Sequence, residues 1–132
     1  MGRPGLSDSE LEVMKVLWRE GAGTVRQVNE RLAELGRRWA YTTVLTLLQR
    51  LQAKGWVRSE TGGPAHVFRA VASREDWLKD RLGTLAEQTC GGERMPLLLA
   101  LVKGERFTEQ QIAEFRRLLD AMEDGEPRQG SE

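Results

Sequence analysis

The sequence is poor in the residues that build metal, redox and catalytic sites. Its 132 residues include one cysteine and one histidine. A lone cysteine cannot form a disulfide within the chain, and zinc needs about four ligands, commonly in local pairs. Nucleophilic catalysis pairs a serine or cysteine with a neighbouring base. The single histidine, His66, falls in a stretch predicted to form a β-hairpin, so it is a poor candidate for that base. We therefore expect no metal, no cofactor and no enzymatic activity.

Long apolar segments are lacking as well. The longest apolar run, residues 97–102, is far shorter than the roughly 18 to 20 residues that cross a membrane. Residues 1–6 contain glycine and proline where a signal peptide would need an apolar stretch. We therefore expect a cytoplasmic protein that does not insert into a membrane.

The net charge is zero, but the charges are unevenly distributed along the chain. Residues 1–72 carry eleven Lys and Arg against seven Asp and Glu, whereas residues 73–132 carry nine against thirteen. A basic first half suits contact with phosphates, although two solvated surfaces can also differ in charge without a nucleic-acid partner.

Three short helices are predicted in the first half of the chain. Capping-box spacing begins the first at Ser7 and the second at Thr24, and the third extends from about Ala40 to Lys54. Glycines follow the three helices at Gly21, Gly36 and Gly55. Short helices with brief connections are typical of a helix-turn-helix domain.

A β-hairpin is predicted after the third helix. Residues 56–59 and 66–69 are β-prone and enclose a Gly-Gly-Pro turn. A hairpin in this place is typical of a winged helix. The predicted fold is therefore mainly α with a small β-hairpin wing, and the predicted DNA-binding domain covers residues 1–72.

Residues 73–123 are predicted to form three helices that act as a dimerisation domain, followed by a disordered tail at 124–132. These helices carry more apolar side chains than so small a unit can bury alone. Pairing with a second copy would cover them, and packing on the winged domain of the same chain is the alternative. The predicted dimerisation residues are Trp77, Leu82, Leu98, Leu101, Val102, Ile112, Phe115 and Leu119.

The third helix has one apolar face and one face suited to a DNA groove. Helical spacing directs Val44, Leu47, Leu48 and Leu51 to the core and Thr42, Leu45, Thr46 and Gln49 to the opposite side. Hydroxyl and amide groups can bond phosphates or base edges, and leucine can contact a thymine methyl. The predicted DNA-binding residues are Tyr41, Thr42, Thr43, Leu45, Thr46, Gln49, Arg50, Arg58, His66 and Arg69. A winged helix that binds another protein instead of specific DNA is the competing interpretation.

Four stretches of the sequence, residues 6–18, 24–28, 39–51 and 54–57, resemble the BlaI/MecI/CopY family of penicillinase repressors. The resemblance implies a homodimeric repressor whose recognition helices enter successive major grooves of an inverted-repeat operator. It places the DNA-contacting segment on Tyr41, Thr42, Thr43, Leu45 and Thr46. Better-known members have basic residues at two of these positions, where this chain has Thr42 and Leu45.

The resemblance also bears on induction. In the β-lactam-responsive members it implies proteolysis at a bond that aligns with Ala100-Leu101, for which a membrane sensor-protease would be the partner. The copper-responsive members carry a Cys-x-Cys pair near the C-terminus, and the absence of that pair excludes copper sensing by that route. Cys90 is interpreted as an apolar packing residue, with a redox-active thiol that bridges two chains as the alternative.

The four tryptophans, Trp18, Trp39, Trp56 and Trp77, are interpreted as core residues. Trp18 and Trp77 fall on apolar helix faces, and Trp39 and Trp56 flank the third helix, where the wing and the turn must pack. An aromatic small-molecule site is the alternative that these residues leave open.

Overall fold

The structure, a computed structural model, describes residues 3–61 and 63–125. These residues form helices α1 (Asp8–Glu20), α2 (Val25–Glu34), α3 (Tyr41–Ala53), α4 (Arg74–Cys90), α5 (Met95–Val102) and α6 (Glu109–Glu123) and strands β1 (Ala22–Gly23), β2 (Val57–Thr61) and β3 (His66–Ala70). The chain divides into a first compact unit that ends at Gly92 and a second that begins at Glu93. None of the helices in these ranges is long and apolar enough to span a bilayer.

Capping boxes begin four of the helices. In α1 the Ser7 hydroxyl accepts a bond from the Glu10 N–H at 3.1 Å, and the Glu10 carboxylate accepts one from the Ser7 N–H at 2.8 Å. The same reciprocal pair begins α2, α4 and α6. Gly21 ends α1 with a φ of 89°, a conformation that glycine adopts without strain. The predicted helix starts are therefore confirmed.

The predicted hairpin is confirmed, and it belongs to a three-stranded antiparallel sheet in the order β1-β3-β2. In the hairpin Arg58 is paired with Arg69, and Ser59 with Phe68. Strand β1 pairs Ala22 with Arg69. The sequence did not predict β1, because two small residues carry no alternating pattern.

The first unit has a continuous apolar core between α1, α2, α3 and the sheet. All four predicted core residues of α3 are buried, and Trp56 is 1% exposed. Leu35 lies outside this core: α2 ends at Glu34, and Leu35 is its C-cap residue with 54% of its surface exposed. The buried apolar side chains of α1 and α2 are Val13, Met14, Val16, Leu17, Val25, Val28 and Leu32.

Helix α4 belongs to the first unit, so the structural division at Gly92 lies beyond the predicted domain boundary at residue 72. The first residues of α4 pack on that unit, because Trp77 lies against the core and its ring is 6.2 Å from that of Trp18. The functional boundary at 72 stays a prediction. Residues 126–132 of the predicted disordered tail lie outside the described residues.

The second unit contains α5 and α6 and buries none of the residues of these helices. Its clearest internal contact is an edge-on pair of rings, Phe107 and Phe115, with centroids 5.2 Å apart. Leu98 and Leu101 of α5 are 53% and 65% exposed.

Candidate nucleic-acid interface

The face of α3 that was predicted to contact DNA is open to solvent. Its hydroxyl, amide and guanidinium side chains are exposed, and Leu45 is half-buried. The N-cap residue, Ala40, makes no side-chain bond to the first turn. The first backbone N–H groups of α3 therefore have no side-chain cap, and such groups attract anions. The exposed residues of this face are Tyr41, Thr42, Thr43, Thr46, Gln49 and Arg50.

A groove with a volume of about 610 Å³ separates α3 from the wing. Tyr41, Leu45 and Gln49 line it from α3, and His66 lines it from β3. These four predicted residues are therefore brought together in one place. Thr42, Thr43, Thr46 and Arg50 lie on α3 outside the lining of this groove.

The two arginines of the wing lie on the other face of the hairpin. Ser59 and Phe68 face the groove, and because successive side chains of a strand alternate between faces, Arg58 and Arg69 point away from it. The Glu60 carboxylate accepts bonds from Arg58 Nε at 3.2 Å and from Arg69 Nε at 3.3 Å. Glu60 therefore already neutralises part of the positive charge that was predicted to meet phosphates.

These hydrogen bonds also stabilise the ionised form of the Glu60 carboxylate. The bond from Arg69, followed by the bond from Arg58, lowers the pKa of Glu60 below its ordinary value. Since Arg58 and Arg69 are directly opposed across the strands, the carboxylate also relieves the repulsion of two like charges.

Arg38 and Arg50 are the basic residues beside α3 that have no ion pair within the described ranges. Arg38 lies in the connection that precedes the uncapped end of α3, and Arg50 is on the helix itself. Arg38 was not among the predicted DNA-binding residues. Arg26 was also missed; it lines the groove and is paired with Glu30 at 3.2 Å.

An ion pair between a buried carboxylate and a half-buried lysine holds the C-terminal end of α3 on α1. Lys54 Nζ lies 2.6 Å from Glu10 Oε1, and the Glu10 side chain is 2% exposed. Burial by itself raises the pKa of Glu10, but the hydrogen bonds from Lys54 and from Ser7 outweigh it, so the pKa is lowered. Glu10 therefore caps α1 and binds α3 with one carboxylate.

The N-terminal segment, residues 3–5, contacts the same end of α3. Arg3 Nε donates to the Gly55 carbonyl at 2.7 Å, and the Trp56 indole N–H donates to the Pro4 carbonyl at 2.8 Å. Lys54 Nζ donates to the Gly5 carbonyl at 2.9 Å. The Arg3 guanidinium also lies over the Trp56 ring, 5.7 Å from its centroid. These contacts hold the C-terminal end of α3 within the first unit.

Most of the predicted dimerisation residues are exposed. Trp77 is the exception, because it packs against the core of its own unit. Ala100 and Leu101, at the predicted cleavage bond, are exposed in α5. Cys90 is half-buried, with its sulfur 3.2 Å from the Thr89 hydroxyl. The exposed dimerisation candidates are Leu82, Leu98, Leu101, Val102, Ile112, Phe115 and Leu119.

The comparison with known protein families tests the resemblance that the sequence carries. Residues 6–121 match the model of the family described as penicillinase repressor. The chain belongs to this family. Its members are transcriptional repressors and not enzymes, as the sequence predicted.

Individual relatives agree with this family membership. The transcriptional regulator BlaI of Mycobacterium tuberculosis is 37% identical over 122 residues, which cover 91% of this chain and 86% of that protein. The penicillinase repressor of Bacillus licheniformis is 25% identical over 117 residues, which cover 89% and 91% of the two chains.

A solved structure confirms the predicted winged-helix fold. The DNA-binding domain of the repressor BlaI, solved in solution, is 32% identical with a TM-score of 0.50. The alignment covers 58% of this chain and 93% of that domain.

Proposed function

We propose that this penicillinase repressor family member acts as a homodimer on an inverted-repeat operator, with α3 of each copy in a major groove. The observation that carries the proposal is the exposed face of α3, which combines hydroxyl and amide groups with an uncapped N-terminus. Such groups suit base edges and phosphates respectively. An operator lies on the genome, so we expect the repressor to act in the cytoplasm.

In this proposal some residues of α3 contact base edges and others contact phosphates. Thr42, Thr46 and Gln49 bond base edges, and Leu45 contacts a thymine methyl, at about 1 to 3 kcal/mol for a good base contact. Tyr41, Thr43 and Arg50 contact phosphates near the helix. On the wing, His66 contributes from the groove, and Arg58 and Arg69 contribute only as far as phosphates compete with Glu60.

The dimer is supported by the exposed leucines of α4, α5 and α6 and by the exposed ring of Phe115. Apolar side chains at this density commonly lie in an interface. A dimer binds two half-sites as one ligand, so the second contact forms at a high effective concentration. Monomers therefore bind the operator much more weakly than the dimer.

Release by proteolysis follows from the same arrangement. Cleavage between Ala100 and Leu101 would cut α5 and remove α6 from the dimer. Helix α5 has eight residues and no buried side chain, so in a free chain it opens easily for a protease. A membrane sensor-protease is the partner that this mechanism requires.

Fluorescence anisotropy tests the proposal. The full chain is titrated at about 150 mM salt against the DNA upstream of its own gene and against a scrambled duplex of equal length. We expect the upstream duplex to bind at least ~100-fold more tightly. Equal and weak binding of both duplexes would contradict specific DNA recognition and favour the protein-interaction module.

A further inference from the structure

The connection between β3 and α4 is short, and hydrogen bonds and burial hold its residues in place. Only Val71, Ala72 and the N-cap Ser73 separate the two elements. The Val71 N–H donates to the Trp56 carbonyl at 2.8 Å, and Ala72 is 1% exposed. The Ser73–Asp76 capping box then begins α4 at once. The connection therefore leaves α4 little freedom at its first residue.

Trp18, near the end of α1, makes two side-chain contacts with this region. Its indole N–H donates to the Ala72 carbonyl at 2.8 Å, and its ring packs on Trp77 with centroids 6.2 Å apart at 45°. One contact holds the chain before α4, and the other holds the first turn of α4. A contact just before α4 and a contact in its first turns together restrain the direction in which the helix leaves the core.

Helix α4 buries Gly83 and Ala86 but leaves a row of leucines exposed. Trp77 is half-buried against the core, whereas Leu78, Leu82 and Leu85 are each 43% to 44% exposed. Helix α1, which carries Trp18, packs on the same core as α3. The contacts of Trp18 therefore connect the recognition helix to the exposed leucines that the proposed dimer uses.

We propose that Trp18, Ala72 and Trp77 form a joint that fixes the direction of α4 and thereby sets the half-site spacing that the dimer accepts. This inference rests on the proposed function. Trp18 is a positioning residue in it, because it acts on the DNA through α4. One added base pair rotates a half-site by about 34°, since the duplex turns once in 10 to 10.5 base pairs. A rigid joint cannot follow that rotation, and a loosened joint can.

The first test measures the direction of α4 without DNA. Nitroxide labels are placed on the native Cys90, at the end of α4, and on Glu30→Cys in α2, where the side chain is exposed. Labelled chains are diluted with unlabelled Cys90→Ala chains, so that only distances within one chain contribute. We expect a narrow distance distribution with Trp18 present and a distribution about twice as wide in Trp18→Phe, which keeps an aromatic ring but loses the indole N–H donor.

Two further variants separate the joint from a general loss of stability. Trp77→Leu removes the ring contact and is expected to widen the distribution as Trp18→Phe does. Val13→Ala removes buried volume from α1, the helix that carries Trp18, without changing a residue of the joint. It is expected to leave the width of the distance distribution unchanged. An unchanged width in both joint variants, or an equal widening in Val13→Ala, would overturn the proposal.

For the second test, the full chain first selects its preferred duplexes from a random pool. The selected duplexes are then synthesised again with the spacer between the half-sites one base pair shorter or longer. We expect the unaltered protein to lose at least ~10-fold in affinity for either change, and Trp18→Phe to lose less than ~3-fold. Equal spacing discrimination by both proteins would refute the role in half-site spacing. If no inverted repeat is selected, the proposed function fails, and the label distances still decide whether the joint fixes α4.

Discussion

The two units of this repressor differ in how many of their apolar residues are buried. The first unit encloses a core in which Leu17, Leu32 and Leu48 are fully buried. In the second unit α5 is almost entirely apolar, and yet no residue of α5 or α6 is buried. Apolar content alone therefore does not make a core. The first unit is expected to be stable as one chain, and the second is expected to gain its stability from another surface.

The largest expected effect is in the core of the first unit. Leu48→Ala leaves a cavity beneath α3 and should cost about 2 to 5 kcal/mol of the free energy of unfolding. Leu118→Ala, at a side chain that is 59% exposed, should cost less than about 0.5 kcal/mol when the chain is monomeric. Urea denaturation at low protein concentration measures both. Similar losses would show that the two units are built alike.

The next effect concerns the second unit. Leu101→Glu places a charge on the most exposed leucine of α5 and should weaken operator binding at least ~100-fold through loss of the dimer. The melting temperature of the first unit should change little. Leu35→Glu is the matched control, because Leu35 is equally an exposed leucine but lies on the first unit. Analytical ultracentrifugation should find only Leu101→Glu monomeric.

A moderate effect is expected from the ion pair between Glu10 and Lys54 of the first unit. Glu10→Gln removes the carboxylate from Lys54 and should cost about 2 kcal/mol at pH 7, as for a hydrogen bond to a charged group. Since the pKa of Glu10 is lowered in the folded protein, its stabilisation is complete above the ordinary glutamate pKa of about 4.3. It is lost as the pH falls through the folded pKa.

Denaturation from pH 7 to pH 3 checks this dependence. The difference in unfolding free energy between the unaltered protein and Glu10→Gln should shrink at the acidic end. Glu12→Gln is the control on the same helix, because Glu12 is paired with Lys15 at a partly exposed site. A difference that stays constant with pH would contradict the role assigned to the Glu10 carboxylate.

The smallest effect is expected at the wing. Glu60→Gln releases Arg58 and Arg69, so binding to a scrambled duplex should strengthen about 2- to 5-fold and depend more steeply on salt. Anisotropy at several salt concentrations measures this. Glu75→Gln, which releases Lys79 on α4, is the control. Equal affinities for Glu60→Gln and the unaltered protein would mean that these arginines stay away from the phosphates.

The sequence predicted those parts of the molecule that depend on local pattern. Capping residues such as Ser7 and Thr24 act within one helical turn, so their spacing located the helix starts. The core face of α3 followed from helical periodicity. Strand β1 was missed because its partner is distant in sequence.

The candidate site was predictable only in part for a related reason. Thr42, Thr46 and Gln49 were identified because they lie opposite the apolar face of one helix. The neutralising contact of Glu60 depends on strand register, and the packing of Trp77 on Trp18 joins residues from two separate helices. Neither contact can be predicted from a pattern of neighbouring residues in the sequence.

The N-terminal segment has a practical consequence for anyone who purifies this repressor. A tag placed on the N-terminal side of Arg3 lies close to a residue that contacts the end of α3 through Gly55 and Trp56. Such a tag should be removed before DNA affinity is measured, because the extension lies next to the contacts that hold α3 in place.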